Sequence, residues 1–407
     1  MTVQNSDNTV LHCAWLINPG QPPRQNVRVT VCKGIVTEII DCPTDERAQI
    51  RPIALLPRFV NAHTHLEFSD IASPLPPPEP FTDWIRSVIR YRIGNAADPD
   101  FSANAVRAGG SESATCGVQI VGEITTSSAG TSGLRHFTAQ TDGTAISFRE
   151  LIGFTADRVD EQVQLAQQHI AELTDRQPPG VVPGLSPHAP YSVHPHIVDA
   201  VVELAINSGV PVAMHLAETR DEIELLNSRT GPFVDFLKSM NLWDASVLAS
   251  VAGPMDYLKR LAQVPHALAV HCNYLSPNEI RYLGEHPNVA VVYCPRTHAY
   301  CCHSQHPWQQ LRSAGATVIL GTDSRASNPD LSIWKELQHI ARQHNAPPVW
   351  ELLSMITTDA ARALGQDPSQ FVITVNQPLR SVRLECNCDS EPSLNDALCT
   401  ASITTSR

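Results

Sequence analysis

Leu55-Leu56-Pro57-Arg58-Phe59-Val60-Asn61-Ala62-His63-Thr64-His65 is an apolar run that closes on two histidines one residue apart. In a strand, residues i and i+2 point to the same side, so both imidazoles leave one strand end together and could hold a single metal ion. Further along the chain, three more apolar runs end in a similar way. Val210-Pro211-Val212-Ala213-Met214 leads into His215, Ala267-Leu268-Ala269-Val270 into His271, and Ala316-Thr317-Val318-Ile319-Leu320-Gly321-Thr322 into Asp323. Each residue alone has a plainer reading as a satisfied core or surface group. Five of them at strand ends, in one consistent arrangement, make a generic core the poorer explanation.

Between these runs the pattern switches from strand to helix and back, the signature of βα units and a parallel sheet. Eight candidate strands end near His65, Glu123, Leu151, His188, His215, His271, Cys294 and Asp323. Helical patterns lie at 81–91, 104–114, 157–174, 196–208, 231–240, 254–263, 277–285 and 308–314, then at 332–344 and 349–364. Ser276 is a candidate N-cap, with Pro277 at the first helical position. Eight strands with helical crossovers predict an α/β fold, a (β/α)8 TIM-type barrel over residues 55–364. Residues 9–40 read as short strands, so 1–54 and 365–407 are expected to share a small β-sandwich domain. The stretch after Gln366 is expected to supply β-like runs at 372–375 and 381–384 and then fray. Pro74–Pro80 predicts a stiff arm after the first strand. The Ser-, Thr- and Gly-rich stretch Thr125–Gly133 predicts a mobile loop after the second.

The chain has 407 residues, 42% of them hydrophobic, enough for a sizeable core. Its net charge of −12, from 29 basic and 41 acidic side chains, argues against nucleic acid as a partner. No run is apolar for long enough to span a bilayer and no secretory signal is visible. Eleven cysteines without a Cys-x-x-Cys pair fit free thiols and a cytoplasmic setting. The partner expected is a small-molecule substrate, and a homodimer is compatible with the composition. Cys301-Cys302-His303, with His298 and His306 nearby, raises a second metal reading, set against a plain loop after a strand.

Imidazole nitrogen and carboxylate oxygen suit zinc, or less well iron(II). His63, His65, His215 and Asp323 would hold one divalent ion and leave a position for water, whose pKa falls from about 15.7 towards about 7 on such an ion. Glu218, three residues after His215, is placed to carry the water proton to a substrate ring nitrogen. The alternative for it is a solvated loop carboxylate. His271 would polarise the attacking oxygen or steady a tetrahedral intermediate, or complete a binuclear site. A bridging carboxylated lysine at the fourth strand is impossible, since no lysine occurs between Lys33 and Lys238. That favours one ion and frees His188 to reach substrate. Arg86, Arg90 and Arg149 would be candidates for polar contacts if the substrate carried a ribose; the plainer reading of each is a surface or ion-pairing arginine.

Asn61-Ala62-His63-Thr64-His65, Pro187-His188-Ala189-Pro190-Tyr191, His215-Leu216-Ala217-Glu218-Thr219, His271-Cys272 and Gly321-Thr322-Asp323-Ser324 together resemble the amidohydrolase superfamily, in its deaminase and chlorohydrolase branch, over roughly 55–345. The resemblance implies a barrel with one divalent metal and hydrolytic release of ammonia from an aminated purine or similar ring. It implies that His188 and Glu218 contact the base and that Asp323 handles protons as well as metal. His65-Leu66-Glu67-Phe68-Ser69, Cys294-Pro295-Arg296-Thr297-His298 and Ser327-Asn328-Pro329-Asp330-Leu331-Ser332 are similar to the aminofutalosine deaminase group, with S-adenosylhomocysteine and methylthioadenosine deaminases as cousins. Two departures stand out: the tail lacks the Gly-rich strand pair that finishes the sandwich, and Tyr300–His306 differs from the expected loop. The alternatives are a chlorohydrolase or deaminase of s-triazines or other heterocycles, and a catalytically silent barrel that only binds.

Overall fold

The computed structural model describes residues 8–76, 80–95, 97–98, 100–175, 180–388 and 390–404. Two sheets organise it. The larger runs β5 (Phe59–Thr64), β6 (Val118–Thr125), β7 (Thr144–Leu151), β8 (Val181–Pro187), β9 (Val212–Leu216), β10 (Ala267–His271), β11 (Val289–Tyr293) and β12 (Val318–Leu320), all neighbours in chain order and all parallel. Every strand end expected from sequence falls within three residues of an observed one. Helices cross between the strands, as parallel pairing requires. A single parallel bridge between Thr64 and Asp323 closes the seam. Asn61 reinforces it, its side chain donating to Thr322 Oγ1 at 2.8 Å and accepting from Thr322 N at 3.1 Å.

The barrel interior is filled by inward side chains such as Val60, Ala62, Ile120, Phe148, Leu268 and Ile319. Its bottom is plugged by Ala360, Ala361, Leu364 and Phe371. The chemistry is therefore confined to the opposite rim, where the strands' C-terminal ends lie. The helix over 277–285 starts on Ser276 as expected. A reciprocal capping box with Glu279 fixes that start.

The smaller sheet is built from β1 (Asn8–Leu16), β2 (Arg24–Cys32), β3 (Ile35–Asp41), β4 (Arg51–Pro57), β13 (Ser381–Glu385) and β14 (Ile403–Thr404), in the order β14-β13-β4-β1-β2-β3. Only Arg58 separates β4 from the first barrel strand.

Three expectations need correction. Ser128–Thr141 is a helix, capped by the Ser127 side chain accepting from Gly130 N, and not a loop. Its glycines permit close packing: a Cβ on Gly133 would lie 2.8 Å from Ala103 O. Val372–Val375 is no strand, because the Asn18 side chain brackets the Ile373 backbone at 2.9 and 2.8 Å in place of a neighbouring strand. The tail does not fray over 390–404: Glu391–Thr400 is helical, with Leu394 and Leu398 buried, and Ile403–Thr404 pairs with β13. Part of the proline-rich arm, 77–79, lies outside the described residues. Next to it, Leu75 N donates to Ala326 O at 2.9 Å.

Candidate active site

His63 and His65 leave β5 together, but strict alternation alone does not aim them. Val60 and Ala62 already point into the barrel, which would turn His63 away. The register with β6 shifts between Asn61 and Thr64, and such an irregularity re-aims the side chains that follow. Glu123 then holds the turn, accepting from Leu66 N at 2.8 and 2.9 Å and from Thr64 Oγ1 at 2.6 Å. Across the seam, Asp323 N donates to His63 O at 3.1 Å. The strands come this close because residue 321 is glycine: a Cβ there would lie 2.8 Å from His63 Cβ and 2.9 Å from His63 O.

Here the residues singled out from sequence converge. The ring nitrogens of His63, His65 and His215 lie within 4.8 Å of one another, and all three side chains are buried. His65 Nε2 is 3.3 Å from His215 Nε2. Asp323 Oδ1 is 3.8 Å from His63 Nε2 and 3.7 Å from His65 Nε2. Neither ring nitrogen of His63 has a hydrogen-bond partner. His215 Nδ1 is 3.0 Å from His188 O; a carbonyl only accepts, so Nδ1 carries the proton and Nε2 offers a lone pair to the cluster. Burial drives His63 and His65 well below the ordinary histidine pKa, with the neighbouring imidazoles adding to it, and takes His215 down to about 3. Neutral imidazoles and a carboxylate around an orphaned buried nitrogen form a donor set that suits a divalent ion.

Glu218 and His271 flank this cluster, Glu218 Oε1 lying 3.4 Å from His271 Nε2. Tyr191 OH donates to Glu218 Oε2 at 3.4 Å. Burial pushes Glu218 well above the usual carboxylate range, helped by the charges of Asp323 and Glu222. Burial likewise raises Asp323 to about 7. Glu222, absent from the sequence-based candidates, clamps the turn by accepting from Ala217 N at 2.7 Å and Glu218 N at 2.9 Å. Its four-residue spacing from Glu218, just inside a helix capped by Thr219, was the available signal. His188 lies beside His215, ring centroids 4.9 Å apart, and its Nε2 is 3.9 Å from Glu150 Oε1.

His65, His188, His215, Glu218, His271 and Asp323 line the floor of a cavity of about 480 Å³. Its outer wall is apolar, with Phe81, Trp84, Phe154, Phe236, Leu237 and Met240. Arg92 and Glu150 reach in, 3.3 Å apart. Arg86, Arg90 and Arg149 do not line the cavity. Arg86 instead packs over Phe236 and donates to Ser239, and Arg90 donates to Arg86 O and Ser87. Among the described residues the cysteine–histidine segment 298–306 forms no metal-ligand group. A second such group, His12, Cys42 and Glu46, lies beside the small sheet with only His12 in a strand, and there Arg28 Nη1 already pairs with Glu46 at 2.7 Å.

The barrel and its rim define a metal-assisted hydrolase scaffold, and residues 54–369 match the model of the amidohydrolase family. The chain belongs to the amidohydrolase family. It is 29% identical over 301 residues to the aminodeoxyfutalosine deaminase of Deinococcus radiodurans, covering 71% of this chain and 68% of that one. Relatives described as 5-methylthioadenosine/S-adenosylhomocysteine deaminases, from Pelotomaculum thermopropionicum and Aquifex aeolicus, match over less than two thirds of their own length. In structure, the chain superposes on the Helicobacter pylori aminofutalosine deaminase in complex with methylthio-coformycin with a TM-score of 0.79, 23% identity and 97% coverage of both chains. A mutant atrazine chlorohydrolase from Arthrobacter aurescens TC1, complexed with zinc and atraton, gives 0.73 at 17% identity, covering 97% of this chain and 92% of that one. At these identities the two structures establish the shared fold.

Proposed function

We propose that the chain is a metal-dependent aminohydrolase that removes ammonia from an adenine-type nucleoside of the aminofutalosine, S-adenosylhomocysteine or methylthioadenosine class. The observation that carries this reading is the convergence of His63, His65, His215 and Asp323 beside Glu218 and His271, at the floor of a largely apolar cavity. These four residues would hold one divalent ion, zinc in preference to iron(II), which when bound supplies Lewis acidity and a water that ionises near neutral pH.

The chain's own groups then have defined tasks. Glu218 takes the water proton on a carboxylate oxygen and returns it to a ring nitrogen next to the attacked carbon. Asp323 carries the second proton of the attacking oxygen to the amino group, so that the C–N bond breaks, ammonia leaves and a ring carbonyl remains. A proton carrier of this kind works best when its acid and base forms are close in energy, and the upward push on Glu218 acts in that direction. His271, neutral because burial lowers its pKa, holds its ring 3.4 Å from Glu218 and steadies charge on the attacking oxygen. Asp323 accepts a proton as well as ligating. His188 contacts the base, and the apolar outer wall excludes water and takes the group beyond the sugar. We take residues 55–364 as the hydrolase unit, with 1–54 and 365–407 as the small β unit.

Metal analysis with an ammonia-release assay on a panel of adenine nucleosides and s-triazines tests the reading. One equivalent of zinc or iron with release from nucleosides is expected. Turnover of triazines alone would replace the reading with the chlorohydrolase alternative. Protein that takes up no metal would replace it with a binding role.

A further inference from the structure

The segment after β11 contains a histidine that the reaction does not use. His306 is buried, and its Nε2 lies 2.8 Å from the backbone oxygen of His271. The oxygen can only accept, so the proton of this neutral ring is on Nε2. Nδ1 is left buried without a partner. The ring stacks on Tyr293, centroids 3.9 Å apart at 16°. A phenyl group would fill that stack and strand no nitrogen, so packing does not account for an imidazole. What it adds is one N–H aimed at His271.

That carbonyl belongs to an unusual turn. His271 and Cys272 have φ of 69° and 53°, the left-handed region that few non-glycine residues occupy. The turn holds the Glu218 segment directly. Cys272 N donates to Leu216 O at 2.9 Å, Tyr274 N to Ala217 O at 3.1 Å, and Asn273 Nδ2 to Glu218 O at 2.9 Å. One donor on the His271 carbonyl therefore fixes a backbone unit that carries both His271 and Glu218.

We propose that His306 is a positioning residue, whose Nε2–H locks the left-handed turn at His271 and so sets the His271 ring against Glu218. The proposal rests on the role given to His271 above. Its test uses the metal-loaded full chain. His306→Phe keeps the stack and removes the donor; His306→Gln keeps a donor near Nε2. The phenylalanine variant is expected to lower kcat at least tenfold, with KM and metal content within about twofold, and the glutamine variant to recover most of the loss. In a His271→Ala background His306→Phe should cost nothing further, because acting through one group makes the two effects non-additive. Should His306→Phe not fold, His306→Asn, whose amide is too short to reach the carbonyl, makes the same comparison.

Ring signals of His271 in ¹⁵N-histidine-labelled protein supply a readout independent of turnover. They should move in His306→Phe and return in His306→Gln. Unmoved signals, or an equal loss with and without His271, would overturn the proposal. If the wild type releases ammonia from no ring, the proposed function fails by itself and the resonance comparison still decides this point.

Discussion

Replacing Gly321 by alanine should weaken the metal site through the chain seam alone. The new Cβ would lie 2.8 Å from His63 Cβ, 2.9 Å from His63 O and 3.1 Å from His63 N. Carbon atoms rest at about 3.5–4.0 Å, so the overlap is about 0.7 Å, and most of what it strikes is backbone. Overpacking of this kind costs about 1–3 kcal/mol. Relief requires β5 and β12 to part, which lengthens the 3.8 Å separation of His63 from Asp323. If about 2 kcal/mol of the strain falls on ligand geometry, zinc affinity drops about 30-fold. The same energy moves the unfolding midpoint of a chain this long by only about 2 °C, so a zinc titration against a competing chelator is the sensitive assay. Gly94→Ala is the control: nothing lies within 4 Å of its added Cβ, and in a helix the change stabilises by about 0.5–1 kcal/mol. Zinc affinity in Gly321→Ala within twofold of Gly94→Ala would refute the argument.

Glu218→Gln should keep its metal by elemental analysis and lose most of kcat; near-wild-type turnover would remove Glu218 from the mechanism. Stripping the metal with a chelator should abolish ammonia release and lower the unfolding midpoint, since an ion at 1,000 times its Kd contributes about 4 kcal/mol; calorimetry with and without zinc checks this. Asp330 sets an acid limit. Burial pushes its pKa up, but hydrogen bonds from Arg296 and Lys335 outweigh that and bring it to about 2. Its folded pKa is thus below its unfolded value of about 3.9, so its contribution is present above about pH 4 and lost as pH falls towards 2. Urea midpoints for Asp330→Asn should therefore fall below wild type at pH 7 and converge with it near pH 2; a constant gap would contradict the assignment.

The barrel was legible because its strands are short, largely buried and mostly bounded by a polar residue at the rim. His63, His215, His271 and Asp323 could be read for the same reason: a charged or imidazole group at the end of an apolar run marks where a strand meets the active face. The helix Ser128–Thr141 was misread because local composition argues for a loop. Its small residues instead answer a tertiary demand, Gly130 facing Glu67 and Gly133 facing the helix over 101–115. The tail was misread because its anchors are remote: Trp334 Nε1 donates to Ala401 O at 3.1 Å and Gln338 Nε2 to Leu398 O at 2.9 Å. Glu123 and Glu222, the two carboxylates that brace the turns, were hidden for a different reason. Each acts on backbone N–H groups, a role that side-chain chemistry does not announce and that only the place of Glu222 in the first turn of its helix hinted at.

The single residue between β4 and β5 links the two sheets mechanically. Arg58 N donates to Arg380 O at 3.1 Å and Phe59 N to Gly117 O at 2.9 Å, so one continuous ribbon passes from the terminal sheet into the strand that ends in His63 and His65. Removing 381–404 would strip β4 of its β13 neighbour and leave a raw edge open to pairing with other chains. Loss of the C-terminus would thus be felt at the far end of β5, as a loosened grip on the cation and a tendency to clump, although no described residue of that tail lines the catalytic cavity.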